Sequence, residues 1–146
     1  MRGHNRAISF MLRVGLFAVF AYAGIEKWHN SRDFVEQIAN YQFFPDRSPW
    51  VALLLPPFEL AAACSILLLS RAWRQAGAIL MLAMLLMFTV AMARAWTLGI
   101  NIECGCFGKG SPTIGPLSFV RNASLIAGTL VLLWFDREST AKSGQV

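Results

Sequence analysis

An all-α integral membrane four-helix bundle, with a short interfacial helix after its first span, is the fold class this sequence predicts. Three observations predict it. Four apolar stretches each approach the roughly 20 residues that a helix needs to cross the hydrocarbon core. Apolar residues make up 56% of the chain and charged residues 14%, against roughly 45–50% and 25% in soluble domains. The five tryptophans fall at the ends of the apolar stretches, where aromatic side chains sit at headgroup depth.

The spans follow in order. The first covers about residues 7–25 and is broken only by Arg13. The second covers 50–69 and contains Glu59. The third covers 76–97 and meets no charge before Arg94. The fourth covers 117–135 with Arg121 near its start. Backbone groups in lipid must be satisfied within the segment, so each span is expected to be helical. Trp28, Trp50, Trp73, Trp96 and Trp134 mark the boundaries. With 146 residues, the chain has room for one domain.

The first span also carries features of a signal peptide. Arg2 and Arg6 precede it, and it ends in Ala21-Tyr22-Ala23, a pattern resembling a cleavage site. Removal would leave three spans and put the termini on opposite sides, so the expectation is a retained span. Between spans one and two, Phe34, Ile38 and Tyr41 fall at i, i+4 and i+7 and share a face. Ser31 is the expected cap and Asp33 favours the first turn. The segment reads as an interfacial amphipathic helix, ended by Phe43-Phe44-Pro45.

The net charge of +5 does not point to nucleic acid, since the basic residues flank apolar runs and no nucleic-acid-binding motif is present. It bears on orientation instead. One side collects Arg2, Arg6, Arg71, Arg74, Arg137 and Lys142, and the other Lys27, Arg32, Arg47 and Lys109. The tight loop Arg71-Ala72-Trp73-Arg74 is the most informative piece. Both termini are expected in the cytoplasm of a bacterial-type inner membrane, with 26–49 and 98–116 facing outside.

The chemistry concentrates at Glu103-Cys104-Gly105-Cys106-Phe107-Gly108, in a segment rich in glycine, serine and proline that reads as a loop. Two thiols separated by one glycine can close a small ring that departs from relaxed disulfide geometry. Strained disulfides are reducible and tend to exchange. Lys109 is placed to favour a thiolate. A static disulfide and half of a Cu(I) or zinc site are the other readings of the same pair. Cys64 lies 14 residues into span two, about 21 Å below Trp50 at 1.5 Å per residue. It is expected to be a buried filler. Met81, Met84, Met87 and Met92 are expected to fill the core rather than form a copper path.

A second group is electrostatic. Glu59, Arg94 and Arg121 lie within or beside spans, where ionisable residues usually face partners in the bundle. Glu26 and Lys27 close span one on the same side. The expected pairing is Glu59 with Arg94 or Arg121, around a pocket under the cysteine loop. Packing staples or snorkelling arginines are the plainer readings. Pro56-Pro57 either interrupts the helix of span two or starts it, with Glu59 in its first turn.

Taken together, the four spans, Ala23-Gly24-Ile25-Glu26-Lys27, Pro57 and Glu59, Arg94 and Cys104-Gly105-Cys106-Phe107-Gly108 resemble the MauE branch of DoxX-like membrane proteins, over about residues 7–135. Glu103 stands where an Asp often precedes the first cysteine in such proteins. The resemblance implies a role in maturing an exported disulfide-containing protein, such as the methylamine dehydrogenase small subunit, beside a thioredoxin-like partner. Wider relatives imply sulfur redox chemistry coupled to a membrane quinone. On this reading Cys104 and Cys106 are the exchange pair, Lys109 tunes the thiolate, and Glu59, Arg94 and Arg121 shape a cofactor pocket. The rival classes are a non-enzymatic assembly subunit and a metal-handling membrane protein.

The orientation is directly measurable. After mild reduction of intact cells, a membrane-impermeant maleimide should label Cys104 and Cys106. Labelling that requires permeabilisation would reverse the topology.

Overall fold

The structure is a computed structural model that describes residues 2–41, 47–99 and 115–141, with side chains described for 7–41, 47–99 and 115–137. Five helices occur among the described residues: α1 (Arg2–His29), α2 (Ser31–Asn40), α3 (Ser48–Leu68), α4 (Arg71–Thr97) and α5 (Pro116–Ala141). Helices α1, α3, α4 and α5 are long and apolar enough to cross a membrane. They form a ring in which α1 packs on α3, α3 on α4, α4 on α5 and α5 back on α1. The short α2 lies against α3 and, less closely, α1.

What lies inside and outside this ring is the physical signature of a membrane bundle. The core holds Leu16, Phe20, Ile66, Met81 and Leu132 among small residues such as Ala62, Ala63, Ala78 and Ala95, together with polar Thr129, Ser118 and Asn122. The outer surface carries Phe10, Met11, Leu54, Phe58, Ile79, Leu86, Val90 and Val120. A soluble bundle needs charged outer faces, whereas apolar side chains turned outward are at home in lipid. All five tryptophans are exposed. Trp73 and Trp96 on α4 are 23 residues apart, about 34 Å of helix, which brackets a hydrocarbon core of about 30 Å.

Helix boundaries depart from hydropathy at three places. Helix α4 begins at Arg71, not near Ala76, so the expected Arg71–Arg74 loop is instead the first turn of α4. The connection from α3 is made by Leu69 and Ser70, both extended. Arg, Ala, Trp and Gln all tolerate helix, so loss of hydropathy marks the membrane surface and not the helix end. Helix α3 begins at Ser48 and runs through Pro56 and Pro57, so Glu59 is mid-helix and not in a first turn. The prolines lack the N–H groups that would bond the carbonyls of Ala52 and Leu53, an interruption that surrounding helices can absorb. The N-cap of α2 is Asn30, without a side-chain capping bond, instead of Ser31. The Asn30 amide instead donates to Glu26 Oε1 at 2.7 Å. Asp33 is in the first turn and Phe34 is buried, as the face pattern predicts. The expected stop at Phe43-Phe44-Pro45 lies outside the described residues.

Close helix contact depends on two glycines. A Cβ on Gly24 would lie 3.0 Å from Leu60 Cγ and 3.3 Å from the Pro56 carbonyl, and one on Gly77 would lie 2.7 Å from Ser65 Cβ. With little hydrophobic drive between helices in lipid, small residues that let backbones approach do much of the packing. Asn122 on α5 adds a polar clasp to α4, donating to Leu85 O at 3.0 Å and Thr89 Oγ1 at 2.6 Å. Cys64 is exposed on the outer surface of α3, contrary to the expected buried filler. Its place on the helical period is the lipid-facing side, one residue from buried Ala63. Met81, Met84 and Met92 are in the core, whereas Met87 is exposed, so the four do not share one interior stripe.

The packing yields a paired prediction. Gly77→Ala forces a Cβ against Ser65 and should cost about 1–3 kcal/mol, the usual range for overpacking. Gly15→Ala meets nothing within 4 Å and should be neutral or stabilising by up to about 1 kcal/mol, the helix propensity gain. Thermal unfolding in detergent measures both. Equal effects would mean that α3 and α4 are not in close contact at Gly77.

Candidate functional site: a buried ion pair beside a small cavity

Lys27 and Glu59 are the two charged side chains at the centre of the bundle, each with 1% of its side chain exposed. Gly24 brings α1 onto α3 at Pro56 and Leu60. Lys27 lies one turn further on the same face of α1, and Glu59 is adjacent to Leu60 on α3. The close approach therefore sets the two charges side by side, and Lys27 Nζ donates to Glu59 Oε1. The ammonium also lies 4.9 Å from the ring centroid of Phe88 on α4 and 5.5 Å from that of Phe34 on α2. Both distances are within cation–π range. Four helices thus meet at one lysine.

Glu59 is nine residues into α3 from Trp50, about 14 Å at 1.5 Å per residue, in the half of the bundle that carries α2. A charge at that depth is costly unless paired. The Lys27–Glu59 pair is formally neutral, and the two rings offer the ammonium a further electrostatic partner.

The second carboxylate oxygen, Glu59 Oε2, is buried with no hydrogen-bond partner among the described residues, and so is Ser118 Oγ on α5. Both residues line a cavity of about 20 Å³ whose wall also includes Phe20, Phe88, Met92, Arg121 and Asn122. A cavity of that size has room for about one water molecule. It is far below the roughly 300–1,000 Å³ of small-molecule pockets, so a quinone ring could enter only if the helices parted. Chemically, the site offers a carboxylate oxygen and a hydroxyl that can share a small hydrogen-bonding guest, beside a fixed positive charge.

The structure corrects the expected pairing of Glu59. Its ion-pair partner is Lys27 and not Arg94 or Arg121. Arg121 does line the cavity. Arg94 is exposed in the last turn of α4, where the helix dipole favours a cation, and it is not part of the cavity wall. The sequence places Lys27 at the close of span one, on the same side as Glu59, but does not pair the two. Helix α2 folding back across α3, with Phe34 beneath it, places the lysine inside. The available signal was the small pair Ala23-Gly24 one turn earlier on its face. Cys104, Cys106 and Lys109 lie outside the described residues. The connection that contains them leaves α4 after Gly99 and enters α5 at Gly115, at the same end of the bundle as α2. Among the described residues, no group of three or more His, Cys, Asp or Glu side chains is placed to hold a metal ion.

The fold and this site define a multi-pass helical membrane protein organised around an interior ion pair. A family model described as "Methylamine utilisation protein MauE" matches residues 5–135, and the chain belongs to that family. Comparison with curated proteins and with solved structures found no match.

The interior pair can be tested by a mutant cycle. Lys27→Met or Glu59→Gln alone should destabilise by about 3–5 kcal/mol, since each strands one buried charge or its partner. The double variant should recover much of that loss. Detergent melting measures all four proteins. Additive losses in the double variant would mean that the two side chains do not interact.

Proposed function

We propose that this MauE-family chain is a membrane redox protein that exchanges disulfides through Cys104 and Cys106. The observation that carries the proposal is the Cys104-Gly105-Cys106 pair in the connection between two spans, with Lys109 three residues beyond. The one-residue spacing favours a strained, reducible ring, and the neighbouring cation favours a thiolate. Membership in a family named for methylamine utilisation supports an exported client such as the methylamine dehydrogenase small subunit. A thioredoxin-like protein is the proposed immediate partner. The site belongs on the outer face of a bacterial inner membrane, with both termini cytoplasmic, on the Lys/Arg distribution.

The exchange conserves electrons within the thiols. A thiolate of one dithiol attacks a disulfide sulfur and forms a mixed disulfide. The second thiolate of that dithiol then displaces it, so one partner is oxidised by two electrons as the other is reduced. Renewing the pair requires a two-electron acceptor or donor. A membrane quinone is the proposed one, taking up two electrons and two protons to become the quinol. Because the cavity beside Glu59 is of water size, the quinone ring would engage the outer face of the helices or part them. The proposed contribution of Glu59 and Arg121 is to polarise that interior. Arg94, exposed at the end of α4, would act at the mouth of the bundle.

A glutathione redox titration of the purified protein, read by alkylation mass shift, tests the proposal. The Cys104–Cys106 pair should equilibrate above about −300 mV, the region outside typical structural disulfides. One of the two single Cys-to-Ser variants should accumulate a mixed disulfide with a thioredoxin-like protein, and the other should not. A pair that stays oxidised below about −300 mV would be structural and would favour an assembly subunit that holds its client without electron transfer. Tight Cu(I) retention lost on Cys-to-Ser change would favour metal handling.

A further inference from the structure

The interior of the ring holds more polar atoms than its own hydrogen bonds use. Helices α3 and α5 stand across the ring from each other and are not packed together, yet both present a buried polar side chain to the same small cavity. From α3 comes Glu59, whose Oε1 accepts from Lys27 and whose Oε2 has no partner among the described residues. From α5 comes Ser118, 2% exposed, whose Oγ is likewise without a partner there. Asn122, one turn further along α5 and also buried, is on the same wall. Its amide nitrogen donates to Leu85 O and Thr89 Oγ1, so what it has left to offer is its oxygen, an acceptor.

These groups select the guest. A free cation would meet the Lys27 ammonium and an anion the Glu59 carboxylate, so a guest that is stable beside the pair is neutral. The cavity of about 20 Å³ exceeds the roughly 10–15 Å³ that one water requires and excludes organic molecules. Hydrogen-bond chemistry narrows the choice further. A carboxylate oxygen and an amide oxygen only accept, whereas a hydroxyl can donate. The guest must therefore donate twice and accept at least once, which is the capacity of water. A wholly apolar cavity of this size would stay dry, but buried polar atoms that have lost their hydrogen bonds are what hold an internal water.

We infer that this cavity is the binding site of a single water molecule that donates to Glu59 Oε2 and Asn122 Oδ1 and accepts from Ser118 Oγ. The water satisfies the carboxylate oxygen that Lys27 does not reach. It also joins α3 to α5 across the ring, a link that direct helix packing does not supply. The remaining wall, with Phe20 and Phe88, confines it to that one position. The site depends on the bundle interior alone and stands or falls apart from the cysteine chemistry.

The test is radiolytic hydroxyl-radical footprinting of the full chain in detergent, read by mass spectrometry. Irradiation makes radicals from bound as well as bulk water, and a radical born inside the bundle modifies the side chain beside it. Three buried methionines make the comparison: Met92 is on the cavity wall, and Met81 and Met84 are not. Met92 should be oxidised several-fold faster than the other two. A scavenger of bulk radicals should protect the exposed Trp73 and leave Met92 unprotected. In Ser118→Val, which replaces the hydroxyl and fills the space with methyl groups, Met92 should fall to the rate of Met81. A Met92 as unreactive as Met81 in the parent would mean a dry cavity and overturn the site, and this comparison needs no variant to fold. Equal oxidation of all three methionines, or a Met92 that the scavenger protects as it does Trp73, would trace the radicals to bulk solvent and overturn it as well. A folded Ser118→Val protein that keeps the parent's Met92 rate would overturn the assigned hydrogen bonds.

Discussion

A lysine ammonium and a glutamate carboxylate in contact inside the bundle constrain the rest of this structure. Neither charge can remain there alone, because nothing else in the apolar interior offers comparable solvation. Their contact requires α1 and α3 to approach at Gly24, which in turn requires a residue without a Cβ facing Leu60 and the Pro56 carbonyl. The ammonium also requires Phe34 and Phe88, which ties the short α2 and the long α4 to the same point. A helix that would otherwise lie loosely at the interface is thereby given a fixed position across α3.

The polar groups are sorted along the bundle axis. Lys27, Glu59, Ser118 and Asn122 serve the half nearer α2, with a cavity of water size beside them. Arg13, Arg71 and Asp136 serve the other end, where Arg13 donates to Asp136 Oδ1 and Arg71 to the Asp136 carbonyl oxygen. Between them the interior is Leu16, Ile66, Met81 and Leu132. Each polar cluster draws on three or more helices, so each fixes relative helix positions as well as neutralising charge. In lipid, where apolar contact between helices competes with equally apolar tails, such clusters and close glycine contacts carry specificity that a soluble core obtains from burial. The proposed redox pair would sit above the α2 end of this platform.

Much of this was legible in the residues. The four long helices follow from the apolar stretches, and the short α2 with its buried Phe34 from the spacing of Phe34, Ile38 and Tyr41. Glu59 was visible as a charge that needs a partner. Its partner was not. Arg94 and Arg121 stand at a suitable depth, but sequence gives depth along a helix and not direction around it. Lys27 was grouped with these charges but not paired with Glu59, because the fold of α2 over α3, which encloses it, is not visible in one dimension. Asp136 was passed over because it follows the last apolar run, where a carboxylate is ordinarily solvated. Its pairing with Arg13 explains the one charge that interrupts the first span.

The sequence by itself determined the class of molecule: the number of membrane-crossing helices, their approximate ends, and the presence of a closely spaced cysteine pair in the connection before α5. Those properties depend on composition and on one-dimensional spacing, which lipid reads directly. Only the tertiary structure decided which charges meet, that Cys64 faces outward, and that the methionines of α4 divide between core and surface. These depend on helix rotation and on approach distances of a few ångströms, set by glycines at the crossing points. In a hydrophobic segment nearly every side chain is apolar, so the periodicity that reveals the buried face of a soluble helix is largely absent here.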